Sequence, residues 1–138
     1  MKERELYECA IDSALEMPGS ELYPFAHEWE AARVRGKWFL VARVGEALLV
    51  NLKCEPQRAV ELTASMPGVS PGYHMNKKHW ISLWPGFDLS EEFVRAAVHH
   101  SYGLVVNSLP RREQPIGNPG TYIDALDHLM MRDSLSEE

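Results

Sequence analysis

The sequence predicts an α+β fold: a two-layer sandwich in which a five-stranded antiparallel sheet carries its helices on one face. Three observations carry that prediction. Apolar residues recur every three to four positions over 3–17, 55–66 and 88–109, the period of an amphipathic helix. Between the first two of these segments the period changes to two, with short glycine turns, as in a hairpin meander. Proline-glycine pairs then punctuate the chain at Pro18-Gly19, Pro67-Gly68 and Pro85-Gly86, where a helix or strand must stop.

The first helix is drawn by Leu6, Ala10, Ala14 and Met17, with Cys9 joining the stripe and Glu5, Glu8, Asp12 and Glu16 on polar positions. Residues 20–26 read as a loop with Tyr23, Pro24 and Phe25, whose two aromatics predict that it folds back on the core. Three strands follow over 28–53. Trp29, Ala31 and Arg33 alternate with Glu30, Ala32 and Val34; Gly36 turns the chain into Lys37–Arg43; Gly45-Glu46 turns it into Ala47–Lys53.

A short helix over 55–66 has Pro56 in its first turn and buries Ala59 and Leu62. Val69–Tyr73 and Trp80–Trp84 make the fourth and fifth strands, the latter with Trp80, Ser82 and Trp84 on one face. The longest helix is expected over 88–109, capped by the Asp88–Glu91 pair and burying Phe93, Ala97, Leu104 and Val105. Residues 1–109 form the domain. Residues 110–138 are a linker plus a short helix over 121–132, not an independent unit, with 134–138 frayed. The stripe Tyr122, Leu126, Leu129 predicts burial against the sheet or a second copy, because so short a helix is marginal alone in water.

Composition bounds the function. The chain has 138 residues and a net charge of −6, so it lacks the overall basic character of a typical nucleic-acid binder. Charge is unevenly spread: Arg33, Arg35, Lys37, Arg43 and Lys53 crowd the meander, and Lys77 and Lys78 follow, so a local positive field is available. The bases at strand ends also serve solubility and edge protection. No apolar run reaches the roughly 18 residues of a membrane span. The charged N-terminus is no secretory signal, and two distant cysteines read as cytoplasmic thiols.

The stretch 71–82 is the candidate site. It packs His74, Asn76, Lys77, Lys78, His79 and Trp80 into one turn and strand start, the polar, basic and aromatic mixture of a binding loop. The expected geometry is an exposed rim of His74, Asn76, Lys77, Lys78 and His79 over a packed Trp80 ring. Lys53, at a strand end, is placed with them. The lysines suit phosphate, Asn76 a phosphate or base edge, and Trp80 a stacking surface.

Catalytic and metal roles lack support. Cys54, Ser82 and Ser101 sit in no nucleophile signature, and Ser101 reads as bonding back within its helix. His74 with His79 and His99 with His100 lack the paired spacing of a zinc site. Neither a catalytic residue nor a metal or other cofactor is assigned.

The stretch Tyr73–Trp80, with its His, Asn-Lys and His-Trp, resembles the MmcQ/YjbR family. Leu52-Lys53-Cys54 with Pro56, Met17-Pro18-Gly19 and Ser101-Tyr102 fit the same pattern, and the likeness covers about residues 1–109. It implies a single domain with a five-stranded antiparallel sheet, similar to secretion chaperones, and a role labelled DNA-binding by likeness to a winged arrangement. Residues 111–138 extend beyond the family's usual end. The functional expectation is a non-enzymatic DNA-binding protein. The alternative is a module that binds a protein or small ligand on a sheet face lined by Trp29, Trp38, Trp80 and Trp84, with monomer and homodimer both open.

Overall fold

A computed structural model describes residues 1–45 and 47–136. In chain order it contains α1 (Glu3–Leu15), β1 (Ser20–Ala26), β2 (Trp29–Val34), β3 (Lys37–Arg43), β4 (Leu49–Lys53), α2 (Pro56–Ser65), β5 (Val69–Pro71), β6 (Trp80–Leu83), α3 (Glu91–Asn107) and α4 (Pro119–Ser136), with a 3-10 turn at Arg111–Glu113. The fold is α+β, with one antiparallel sheet in the order β1-β2-β3-β4-β6-β5. No helix among the described residues is long and apolar enough to cross a membrane.

The sheet has six strands, not five. The added strand is β1, read from the sequence as a loop containing Pro24. Proline removes a ladder donor, which excludes it from central strands but not from an edge. β1 is an edge strand, and its register against β2 shifts between Pro24 and Ala26. The resulting bulge leaves Phe25 as the extra residue, a device common at sheet edges.

A second bulge sits in β3. Ala32 faces Leu40 and Arg33 faces Trp38, so Phe39 is inserted between paired positions. Phe39 and Leu40 consequently both join the main core, which unites Leu6, Ala10 and Ala14 of α1, Leu62 of α2 and Phe93, Val98 and Tyr102 of α3 with Val50, Leu52, Ile81 and Leu83 of the sheet. The β3–β4 register, Leu40 opposite Leu52, would bring Phe39 opposite Lys53. There the ladder stops, and the Ser101 hydroxyl takes its place. It accepts from the Lys53 amide at 2.8 Å and donates to the Phe39 carbonyl. Ser101 therefore does not bond back within its helix. It relays one bond of the ladder and joins α3 to both strands.

α3 is capped by Ser90, whose hydroxyl accepts from the Phe93 amide at 3.0 Å, rather than by Asp88. The longest helix is α4, with 18 residues against 17 for α3. It starts at Pro119, where the missing N–H costs nothing, and passes the expected end at Arg132 to reach Ser136. Of the residues expected to fray, Glu137 and Glu138 lie outside the described residues, as does Glu46 of the expected Gly45-Glu46 turn.

Within the chain α4 packs on α3 rather than on the sheet. Leu126 is fully buried, Tyr122 and Leu129 partly. The Tyr122 ring stands edge-on to Tyr102 at 5.2 Å, Arg58 reaches Asp127 at 2.5 Å, and His100 Nδ1 meets the Ile123 carbonyl at 2.7 Å. His100 Nε2 accepts from the Glu55 amide at 3.2 Å, so its Nδ1 carries the hydrogen donated to Ile123.

Gly103 permits this approach: a Cβ there would lie 2.7 Å from the Ile123 nitrogen and 2.9 Å from the Pro119 carbonyl. Gly103→Ala should therefore push α4 off α3, against the usual gain of an Ala in a helix. A melting temperature lowered by several degrees, with α4 amides exchanging faster, is expected; an unchanged melt would mean that α4 docks loosely.

His99 faces Tyr122 at 5.7 Å, and its buried Nε2 has no hydrogen-bond partner among the described residues. Burial, then Arg95, holds its pKa below the ordinary 6.5. The unfolded chain takes up this proton first, so the contribution to stability is intact above about pH 6.5 and is lost as pH falls through the folded value. Urea denaturation at pH 7.5 and 5.5 should show a larger loss for wild type than for His99→Phe.

Candidate functional site

The site lies on the sheet face away from the main core. Directly paired residues in an antiparallel sheet share a face, and one such row runs Tyr23, Ala31, Val41, Asn51, Ser82, Ser70 across all six strands. Small residues in this row leave a shallow floor. A second, smaller core fills part of it: Ala31, Val41 and Trp80 are buried, with Phe25, Trp29, Trp38 and Met75 packed over them. The expected aromatic face is thus present, and it is closed by its own rings rather than bare.

The loop between β5 and β6 is pinned to this face by buried polar groups. The Ser82 hydroxyl accepts from the Tyr73 amide at 2.8 Å and donates to the Asn51 side-chain oxygen. The Asn51 amide then donates to the Tyr73 carbonyl at 3.1 Å, closing a ring that satisfies Tyr73 on both sides. Asn51 and Ser82 are both fully buried. Gly72 lets the loop pass over Trp80, where a Cβ would meet Trp80 Cβ at 2.7 Å.

The predicted rim is in place. His74, Asn76, Lys77, Lys78 and His79 are exposed, and Trp80 is buried beneath them. Their tasks differ. The Asn76 side-chain oxygen accepts from the Lys78 and His79 amides at 2.9 and 3.3 Å, so it shapes the turn. Lys77 donates to the Gly72 carbonyl at 2.8 Å. His74 holds a left-handed φ of 61°, with its ring against Tyr73 at 4.2 Å and Trp29 at 6.3 Å. The ammonium groups of Lys53 and Lys78 make no hydrogen bond or ion pair among the described residues.

Cross-strand pairing adds Arg33, Arg43, Trp29 and Trp38 to Lys53 and Trp80 of the predicted site. Arg33 faces Trp38, Arg43 faces Trp29, and Lys53 faces Trp80. Each base on this face thus has a tryptophan opposite it. Arg33 lies 4.2 Å over the Tyr23 ring and is tied to Glu21 at 2.8 Å. Arg43 sits 4.9 Å over Tyr73 and 5.8 Å from Trp29, with its Nε on the Ala47 carbonyl at 2.8 Å. The available signal was the crowding of bases and tryptophans in one meander.

One cavity lies away from this face and another at its border, beside Lys53 and His79. The first, of about 370 Å³, is bordered by Tyr7, Glu30, Val44 and Leu48 on the helix side of the sheet. There Tyr7 donates to Glu30, and burial followed by that bond pushes the phenol up to about 12. The other, about 200 Å³, is lined by Lys53, Cys54, Glu55, Pro56, His79 and Leu104. Burial, and then the Glu55 carboxylate, push the Cys54 thiol up to about 12, so it stays protonated at neutral pH. Among the described residues no cluster of three or more His, Cys, Asp or Glu is assembled that could hold a metal.

The model of the family described as YjbR matches residues 15–104. The chain belongs to the YjbR family. It is 39% identical over 122 residues to the uncharacterized protein YbdF of Escherichia coli O157:H7, a match covering 87% of this chain and all of that one. It is 29% identical over 102 residues to YjbR of Escherichia coli strain K12, covering 72% and 86% of the two chains. Among solved structures, a Deinococcus radiodurans protein of domain DUF419 superposes with a TM-score of 0.71 at 26% identity, over 82% of this chain and 86% of that one. A Pseudomonas syringae protein shares the fold, with a TM-score of 0.60 at 22% identity over 75% and 98%.

The residues that carried the likeness are bonded to one another. Lys53 N–H meets Ser101, Cys54 N–H meets the His79 carbonyl at 2.9 Å, and Tyr102 donates to the Pro18 carbonyl at 2.5 Å. Lys53 also pairs with Trp80. Much of the signature therefore holds the sheet, α3 and the end of α1 together, while the rim and the Lys53 ammonium take no part in those bonds.

Ser82→Ala should leave the Tyr73 amide and the Asn51 oxygen without their buried partner, at about 1–3 kcal/mol. Denaturant titration should show that loss, with faster exchange confined to amides of 72–79; a loss below about 0.5 kcal/mol would mean that the loop is held by other contacts.

Proposed function

We propose that this chain is a non-enzymatic DNA-binding protein that meets nucleic acid with its outer sheet face and the 73–80 loop. The observation that carries the reading is the pairing of Arg33 and Arg43 with the partly exposed rings of Trp38 and Trp29, beside Lys53 on the face that also bears the loop; Trp80, buried, supports that face and does not offer a stacking surface. Cations beside aromatic rings give a phosphate and a base their two kinds of contact together. The unengaged ammonium groups of Lys53 and Lys78 add to this support. A non-enzymatic role is supported by the protonated Cys54 and by Ser101, whose hydroxyl hydrogen is directed to a buried carbonyl. Free cysteines Cys9 and Cys54 suit a cytoplasmic setting.

A second reading is favoured by one observation. β1 is a seven-residue edge strand with Leu22 and Tyr23 exposed, and an open edge can accept a strand from a protein partner or a second copy. The Pro24 bulge works against such pairing, which places this reading behind the first.

The test is titration of wild type and Lys77→Ala/Lys78→Ala into duplex and single-stranded DNA at two salt concentrations. The double substitution should weaken binding at low salt and reduce the slope of log affinity against log salt by about one to two. Lys77 also bonds Gly72, so a small loss of stability is expected with it. No saturable binding by wild type at low salt would set the DNA reading aside and leave the protein-binding module ahead; unchanged binding by the variant would remove Lys77 and Lys78 from the site and confine the contacts to Arg33, Arg43 and Lys53.

A further inference from the structure

We infer that the nucleic acid suited to this face is single-stranded DNA, held by stacking of unpaired bases on Tyr23, Phe25 and Trp38; this rests on the DNA-binding reading above. The first argument is the number of cations. Arg33 is already tied to Glu21, Arg43 to the Ala47 carbonyl and Lys77 to Gly72, so of the bases on this face and its loop Lys53 and Lys78 are the unengaged ones among the described residues. A duplex offers a protein chiefly its phosphates, and strong duplex binders contact roughly six to ten of them. Two or three contacts from a chain of net charge −6 give little. The face also presents sheet strands, not a helix, to a major groove.

The second argument is the rings. Tyr23 is 38% exposed, and Phe25 and Trp38 are half-buried. The Tyr23 and Phe25 rings stand two residues apart on β1, inclined by only 17°, with centroids 6.4 Å apart. That spacing is close to two steps of the roughly 3.4 Å repeat of stacked bases along a strand. Phe25 continues onto Trp38 at 4.5 Å, and the Arg33 guanidinium lies 4.2 Å over Tyr23. The sequence Arg33, Tyr23, Phe25, Trp38 is therefore a row of planar groups. Each stacked base is worth roughly tenfold or more in affinity, with little sequence preference, so two or three of them outweigh the phosphate contacts available. Bases within a duplex have their faces covered by their neighbours and cannot use the row. Lys53, opposite Trp80, is placed to meet the phosphate chain on the same face.

The experiment compares a twelve-nucleotide oligothymidylate with a duplex of the same length, by fluorescence anisotropy of the DNA and by tryptophan emission of the protein. The single strand should bind at least tenfold more tightly, quench tryptophan emission and show a salt slope of about two or less. Tyr23→Ser, at an exposed ring, should lower single-strand affinity about tenfold and leave duplex affinity unchanged. Phe25→Leu, which keeps an apolar side chain over Ala31, should do the same with circular dichroism matching wild type. Tighter binding of the duplex, or single-strand affinity unaltered in both variants, would overturn the stacking row while leaving DNA binding in place. Absence of binding by either DNA at low salt would overturn both.

Discussion

The constraint on which the rest depends is the bulge at Phe39 and the serine hydroxyl that completes it. An extra residue in β3 must leave a ladder position unpaired, and a buried backbone group without a partner costs about 1–3 kcal/mol. Ser101 removes that cost by accepting from Lys53 and donating to Phe39. The same bond fixes where α3 crosses the sheet. The neighbouring residues use that placement: His100 bridges α2 and α4, Tyr102 reaches Pro18 beyond α1, and Gly103 admits α4. Four consecutive residues thus set the positions of all the other helices.

The bulge also makes the outer face. It sends Phe39 and Leu40 together into the main core and turns Trp38 to the side that bears Arg43 and Arg33. Without it, Trp38 and Arg43 would lie on opposite faces. The result is a sheet with an apolar core on one side and a smaller aromatic core on the other, where cations lie against rings. Such contacts are worth about 0.5–1 kcal/mol at exposed sites. They do more to orient the guanidinium planes than to stabilise the fold.

Polar residues buried in the sheet serve the loop in the same way. Asn51 and Ser82 would be expensive in an apolar layer, and they are tolerated because they close a ring with Tyr73. The ring holds an eight-residue loop against the sheet with few apolar contacts of its own, so the rim of His74, Lys77, Lys78 and His79 rests on a rigid base.

The sequence by itself determined what local patterns determine. Period-two alternation marked β2, β3, β4 and β6; period-3.6 stripes marked the helices; and the density of polar, basic and aromatic residues in 73–80 marked the exposed rim over Trp80. Each of these depends on residues within one or two turns of chain. The rest depends on contacts between segments distant in the chain. β1 was concealed because Pro24 argues against a strand unless that strand lies at an edge, and edge position is a property of the whole sheet. The association of Arg33 with Trp38 was concealed because one inserted residue reverses the alternation of β3, and those of Arg43 with Trp29 and of Lys53 with Trp80 because strand register is set between segments distant in the chain. The apolar stripe of α4 suits the sheet or a second copy as well as it suits α3; its place on α3 depends on Gly103, where a Cβ would collide with the backbone of Ile123. Ser101 looked like any helical serine, since the carbonyl it satisfies is 62 residues away in the chain.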